Sequence, residues 1–483
     1  MSDSELPRDP TPQAHGDPGD GISHGRLKRA VPLADIAART VGDAVIAGVR
    51  SKLSGSSDAA ELHVRAAERY AELLGRSKGA LMKAGQMVSF ASIGPAVPGE
   101  LQSIYQSALM RLCSDAPPMA PALARSVLER ELGCPTQDAF AELDWQPLAS
   151  ASIGQVHAGR LHDGRAVAVK LQYPGVASAV RADLKNTELL ATFLSLTIGG
   201  LSSRRLRFDL RGAAREMGLR IAEELDYRLE AANQAEFAAH YRCHPFIHVP
   251  DVIPELCTSR VLTQELMRGL SWREALKAPQ GLRDQWAEAI WRFTYGTNKR
   301  INVLHADPHP GNYVFHTDGS VSFLDFGCVK RFTPEQVSMF DAIVRECLRN
   351  DALGIWRLCV EAGFWRSSDP VTPDEVLAYW RGDWEILWAQ ERVVITPEKA
   401  AKRVARRCSR DGPSANALRH LTMSPEYTVM GRIEVGVESV IAQLGGGAHW
   451  GAIAAEGLED AGPLTEMGRR EHEFFELSDA RLS

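Results

Sequence analysis

Helical periodicity at both ends of the chain encloses a middle stretch of strand-like alternation. Residues 1–28 are rich in Asp, Pro, Gly and Ser and poor in apolar residues, which predicts a disordered arm. Helical patterning follows over about 31–134, broken by prolines at 114–121 and closed at Gly133. Arg165-Ala-Val-Ala-Val-Lys170-Leu-Gln alternates small and β-branched residues behind the turn pair Asp163-Gly164, and so reads as a hairpin strand. Strands are also predicted near 149–156 and 260–265, with a helix over 216–237 between them. Val321-Ser-Phe-Leu324 is a further apolar strand. Beyond it the pattern is all helical. Thr333-Pro-Glu, Thr372-Pro-Asp, Thr396-Pro-Glu and Ser424-Pro-Glu each join an N-cap residue to a proline at the first helical position and an acid in the first turn. They mark four helix starts.

Composition adds bounds. The 483 residues are 45% hydrophobic and 24% charged, enough for two or three domains with a large core. A net charge of −6 argues against a nucleic-acid binder. The basic run at 399–410, with Lys402, Arg403, Arg406, Arg407 and Arg410, reads first as a solvated helix face and second as a contact for anionic lipid. Trp380, Trp384 and Trp388 recur every fourth residue, which fits core packing, with a lipid or partner face as the sharper alternative. No apolar run reaches the ~18–20 residues that span a bilayer, and 189–201 reads as a buried helix. The N-terminus shows no signal-peptide core. The expected location is cytoplasmic, with peripheral contact on the inner face of a membrane. The eight cysteines form no C-x-x-C pair and suit a reducing compartment, with Cys328 read as a packing residue. His240, His244 and His248 have helical spacing for metal ligands, but Pro245 and Pro250 break that helix.

The chemistry concentrates in His305-Ala-Asp-Pro-His-Pro-Gly-Asn312 and Asp325-Phe-Gly327. Four residues separate Asp307 from Asn312, the spacing of a kinase catalytic loop. In such a centre Asp307 orients or deprotonates the attacking hydroxyl, while Asn312 and Asp325 offer hard oxygen ligands to Mg²⁺. Val-Ala-Val-Lys170 matches the strand whose lysine holds the ATP phosphates. A lysine there needs a carboxylate partner, and Glu223, Glu224, Asp226 and Glu230 are candidates. The loop before that strand, Ala149-Ser150-Ala151-Ser152-Ile153-Gly154-Gln-Val156-His157, stands where kinases carry a Gly-rich loop, yet holds one glycine. Alanine and serine allow close approach to phosphate but not free use of positive φ, so this loop should be stiffer. Gln264-Glu265-Leu266-Met267 is the candidate hinge, with backbone groups of Glu265 and Met267 facing adenine. His305 is assigned a scaffold role in the loop.

Four of these segments resemble the UbiB/AarF family of atypical protein-kinase-like proteins: the Ala-rich loop, Lys83-Ala-Gly-Gln86, Glu224-Leu-Asp226-Tyr-Arg-Leu-Glu230, and the His305–Asn312 loop with its Asp-Phe-Gly. Asp115-Ala-Pro-Pro-Met119 also resembles the family. The resemblance implies an α+β, bilobal protein-kinase-like fold with added N-terminal helices carrying the Lys-x-Gly-Gln motif and a helical C-terminal extension. The expected divisions are a disordered arm at 1–28, the helical extension at 29–139, the small lobe at 140–267, the catalytic part of the large lobe at 268–335 and a helical remainder at 336–483. It implies that Lys83 and Gln86 fold over the active site, that Glu224 and Asp226 lie against them, and that Glu230 pairs with Lys170. It implies ATP and Mg²⁺ as cofactors and a kinase or ATPase activity supporting isoprenoid-quinone or lipid metabolism, with isoprenoid lipid or quinone-precursor enzymes as partners. The polar ending, Gly462-Pro-Leu-Thr-Glu-Met-Gly-Arg-Arg-Glu-His-Glu, departs from members with apolar C-terminal helices. A non-catalytic nucleotide-binding scaffold and a small-molecule phosphotransferase of the aminoglycoside or choline kinase kind are the alternatives.

Overall fold

The computed structural model describes residues 118–151, 153–178, 180, 225–383, 385–389, 391–407, 412–422, 425–458 and 462–482. Lys83, Gln86, Ser152, Glu223, Glu224 and Trp384 lie outside them, as do residues 29–117 of the stretch expected to carry the added N-terminal helices.

The first described helix, α1 (Pro121–Leu132), begins on a proline and stops where Gly133 turns left-handed at φ 72°. α2 (Thr136–Ala139) leads into β1 (Glu142–Leu143), β2 (Ala149–Ala151), β3 (Gly154–Arg160) and β4 (Ala166–Gln172). α3 (Tyr227–His240), β5 (Ile247–His248) and β6 (Val261–Glu265) follow. β1, β3, β4 and β6 form an antiparallel sheet in that order, with β2 also on β3. Gly154 opposes Gln172 and Arg160 opposes Ala166, so the hairpin closes over Asp163-Gly164, where Gly164 has φ 89°. Val167, Val169 and Leu171 go into a core shared with Leu128, Ile153, Tyr227 and Leu262.

A second core is built on α5 (Gln280–Ile301), after the short α4 (Trp272–Ala275). β7 (Val303–His305) pairs with β10 (Val329–Arg331), and β8 (Tyr313–Phe315) pairs with β9 (Val321–Phe323), which β5 joins in parallel. These two small sheets bring the catalytic-loop sequence and the Asp-Phe-Gly together. Helices α6 (Pro334–Leu348), α7 (Ala352–Glu361), α8 (Pro373–Asp383), α9 (Pro397–Arg407), α10 (Ala415–His420), α11 (Pro425–Leu444), α12 (Trp450–Leu458) and α13 (Glu466–Leu482) complete the described chain. All four Thr/Ser-Pro-acid signals fall at helix starts, and Thr333 forms a full capping box with Gln336.

Two cores make two lobes, and α3 belongs to both. Its Tyr227 and Ala231 sit in the first core, and its Phe237, with Tyr241 just past its end, in the second.

Some expectations change. The stretch after the Asp-Phe-Gly is not all helical: β10 falls there, and β11 (Val393–Val394) pairs with β12 (Gly447–Ala448). Two-residue strands with distant partners are too short to show alternation. Trp380 is core, its indole N–H on Cys359 Sγ at 3.1 Å. The basic run is not simply solvated, because Arg403 pairs with Glu438 and Arg406 with Glu385. His244 is buried, its Nδ1 accepting from the Ile247 N–H at 3.0 Å, and no metal-type cluster occurs among the described residues. Cys328 is buried. No described helix is long and apolar enough to cross a membrane.

Candidate active site

Lys170 projects from β4 at the junction of the lobes. Its Nζ donates to Glu230 Oε1 at 2.7 Å and Oε2 at 2.9 Å, and to Asp325 Oδ2 at 3.2 Å. It also lies over the Tyr227 ring, 5.0 Å from the centroid. Burial disfavours the charged ammonium, but Asp325 and Glu230 outweigh that cost and hold its pKa well above the ordinary value. The side chain of Glu230 is 4% exposed and that of Asp325 is 35% exposed. Glu230 is therefore committed to the lysine, whereas Asp325 keeps a face toward open space. Of the four acids the sequence offered, Glu230 is the partner found. Asp226 instead caps α3, accepting from the Arg228 N–H at 3.0 Å, and so fixes the start of the helix that carries Glu230.

Asp325 has φ 59°, a left-handed conformation rare for a residue with a Cβ. His305, buried at the end of β7, bonds through Nε2 to the Asp325 carbonyl at 2.7 Å. The Gly327 N–H donates to Asp325 Oδ1 at 3.3 Å. Phe326 is fully buried against the rings of Phe237 and His305. Together these contacts hold a backbone geometry that costs on the order of 1–3 kcal/mol by itself. In the loop, Asn312 Nδ2 donates to the Asp307 carbonyl at 3.0 Å and to Asp307 Oδ2 at 3.2 Å. With the amide nitrogen turned to Asp307, Asn312 has its Oδ1 as an acceptor. The Leu324 N–H donates to the Asn312 carbonyl at 2.8 Å, linking the loop to the strand before Asp325.

The Ala-rich loop is a tight hairpin: Ala149, Ser150 and Ala151 pair with Val156, Gln155 and Gly154. Ile153 does not offer its side chain to a ligand, because that side chain is buried in the small-lobe core. Gly154 is needed for close approach rather than for positive φ, since a Cβ there would lie 2.3 Å from the Leu171 carbonyl oxygen. At the hinge, the Glu265 N–H is already given to the Asp251 carbonyl and the Leu266 N–H to the Ala166 carbonyl. The Met267 N–H, unlike these two, makes no hydrogen bond to a described residue.

Three features escape motif reading. Asn233, one turn beyond Glu230, donates to the Phe326 carbonyl at 3.1 Å and accepts from Arg331, which also pairs with Glu236. The i, i+3 spacing from Glu230 was the available signal. Gln155 Oε1 accepts from the Met119 N–H, and Gln155 Nε2 donates to His157 Nε2, each at 2.8 Å. His157 Nδ1 donates to the Asp144 carbonyl at 2.8 Å, and burial keeps the ring neutral. The Gln-Val-His end of the loop motif thus fastens Met119 to the sheet.

Residues 111–359, just over half of the chain, match the family model of the ABC1 atypical kinase-like domain, and the chain belongs to that family. The UbiB/AarF resemblance is thereby borne out. The chain is 34% identical over 286 residues to the mitochondrial atypical kinase COQ8B of Rattus norvegicus, covering 59% of this chain and 52% of that protein. It is 27% identical over 347 residues to the mitochondrial atypical kinase COQ8 of Saccharomyces cerevisiae, covering 71% and 67%. It therefore spans about half the length of the rat relative and two thirds of the yeast one. A solved structure, described as the complex of Rv3197 with erythromycin from Mycobacterium tuberculosis, superposes with a TM-score of 0.60 at 29% identity, covering 84% of this chain and 98% of that one. The fold is kinase-like.

Proposed function

We propose that this chain binds ATP with Mg²⁺ in the cleft between its lobes and acts there as an ATPase or phosphotransferase supporting isoprenoid-quinone or lipid metabolism. The observation that carries the reading is the Lys170–Glu230–Asp325 cluster, two carboxylates within 3.2 Å of one ammonium. An ammonium held by two carboxylates, one of them open to the cleft, is poised to share its charge with phosphate oxygens. The donor set fits Mg²⁺: Asp325 and Asn312 Oδ1 are hard oxygens, and this ion completes its shell with phosphates and water. Bound there, the metal neutralises charge on the phosphates and fixes their geometry.

Glu230 keeps Lys170 charged and aimed. Asn312 orients the Asp307 carboxylate through its amide. Asp307 orients the attacking oxygen and accepts its proton. Ala149, Ser150, Ala151, Ser152, Gly154 and Val156 supply the hairpin over the phosphates, and the backbone at Glu265 and Met267 borders the adenine. Lys83 and Gln86, with Glu224 and Asp226 beside them, close the cleft to protein substrates. The quinone context rests on the COQ8 names of the relatives.

The test is a thermal-shift titration. Mg-ATP should raise the melting temperature of the wild type by several degrees, and Asp325→Asn should abolish that shift while leaving the unliganded midpoint within a few degrees. An unchanged Mg-ATP shift in the variant removes Asp325 from the site.

A further inference from the structure

Pro308 directly follows Asp307, and the peptide that joins them is held from two sides. Its carbonyl, that of Asp307, accepts from the His309 N–H at 2.8 Å and from Asn312 Nδ2 at 3.0 Å. Its nitrogen belongs to the proline ring and has no N–H to give. Packing holds that side instead. Pro308 is buried, and its ring lies against Gly436 of α11. A Cβ at Gly436 would stand 2.5 Å from Pro308 Cγ, 3.6 Å from its Cβ and 3.7 Å from its Cδ.

Gly436 lies in the interior of α11. Glycine is the least favourable helix residue apart from proline, so helix formation does not account for it. What the position requires is the absence of a side chain. Neither partner can yield cheaply to one. The ring closes on the backbone nitrogen, so Cγ cannot swing aside as the tip of a long side chain would. α11 is fixed along its length. Ile433, Val437, Val440 and Ile441 are buried in the second core. The buried Glu438 pairs with Arg403 of α9. The Leu444 carbonyl accepts from Arg283 of α5 at 3.0 Å. A side chain at 436 would therefore press on Pro308 and, through the shared peptide, on Asp307. Lys170, Glu230 and Asp325 stand on β4, on α3 and in the Asp-Phe-Gly, so α11 acts on the other half of the site. It also lies beyond the residues 111–359 that match the family model.

We propose that Gly436 is a positioning residue: it seats the Pro308 ring and thereby aims the Asp307 carboxylate, which makes α11 part of the phosphoryl-transfer machinery. The inference rests on the reading of Asp307 as the group that orients the attacking oxygen. The full-length chain is compared with Gly436→Ala. Phosphate release at saturating Mg-ATP should fall at least tenfold, while the calorimetric Kd for Mg-ATP stays within twofold, the split expected when turnover loses alignment and binding does not. Ile441→Val, which trims the core face of the same helix further along, should keep its rate within twofold. Pro308→Ala lacks the ring carbons Cγ and Cδ. It should slow release at least threefold at unchanged Kd, and adding Gly436→Ala to it should change the rate less than twofold, because the new Cβ meets no ring. Amide exchange at His309 and Asn312 should quicken in Gly436→Ala and not in Ile441→Val, a readout that needs no turnover. If the wild type hydrolyses no ATP but exchange responds in this way, the phosphoryl-transfer reading fails and the seating stands. The seating is overturned if Gly436→Ala matches the wild type in rate and exchange, if its Mg-ATP affinity falls in step with its rate, or if its effect is as large in the Pro308→Ala background. Should Gly436→Ala not fold, Pro308→Ala opens the contact from the other side, and a wild-type rate in that variant overturns the proposal.

Discussion

Asp325 and Gly154 each show a local backbone demand in the cleft, resolved in opposite ways. At Asp325 the carboxylate is kept although φ is 59°, and His305, Gly327 and Phe326 hold the conformation from three sides. At Gly154 the side chain is given up, because β4 and the Tyr227 hydroxyl approach too closely for any Cβ. Gly154→Ala should therefore destabilise the small lobe by about 2–3 kcal/mol, the usual cost of overpacking a tight contact. Chemical denaturation should show a lower midpoint with an unchanged slope; a midpoint within error of the wild type would mean that the strands part at no cost. Gly154 was legible as the lone glycine of the loop, but its reason was not. The neighbour that forbids a Cβ, Leu171, is 17 residues away and comes close only through strand register.

Among the elements, α3 decides whether the cleft is assembled. It sends Tyr227 and Ala231 into one core and Phe237 into the other, with Glu230 on Lys170 and Asn233 on the Phe326 carbonyl between them. Removing the Asn233 amide leaves that carbonyl without this donor and frees Arg331 from one of its contacts. Asn233→Ala should cost about 1–2 kcal/mol of stability. Amide exchange should quicken selectively at 324–328, and Mg-ATP affinity should fall severalfold. A variant with unchanged exchange there would show that α3 and the Asp-Phe-Gly are not coupled through this bond. A buried lysine requires a carboxylate and the helical stretch offered four; it was the family resemblance that singled out Glu230. The i, i+3 spacing from Glu230 put Asn233 on the right face, but its partners, the Phe326 carbonyl and Arg331 on β10, leave no mark on local pattern. The short β11–β12 pair was illegible for a related reason: each strand is two residues long, and the pairing joins positions more than fifty residues apart.

For the whole molecule, the two-core architecture and the matched family agree with the kinase-like reading that the motifs supported. The resemblance adds a cover to that cleft, with Lys83 and Gln86 standing where a protein substrate would dock. Lys83→Ala should then allow autophosphorylation that the wild type lacks, read as phosphate incorporated into protein from labelled ATP. A variant that incorporates no more than the wild type would return Lys83 to helix packing.

The central claim is that the lobes enclose a working phosphoryl-transfer centre rather than a nucleotide-holding scaffold. Release of inorganic phosphate from Mg-ATP by the purified chain, compared with Asp307→Asn, tests it most directly. Asp307 touches Asn312 and is not part of the Lys170 cluster, so the variant should still bind Mg-ATP. The wild type should turn over and Asp307→Asn should lose at least a hundredfold in rate at saturating ATP, about 2.7 kcal/mol of transition-state stabilisation. Equal phosphate release from the two proteins, or none from a wild type that binds Mg-ATP, would contradict the account.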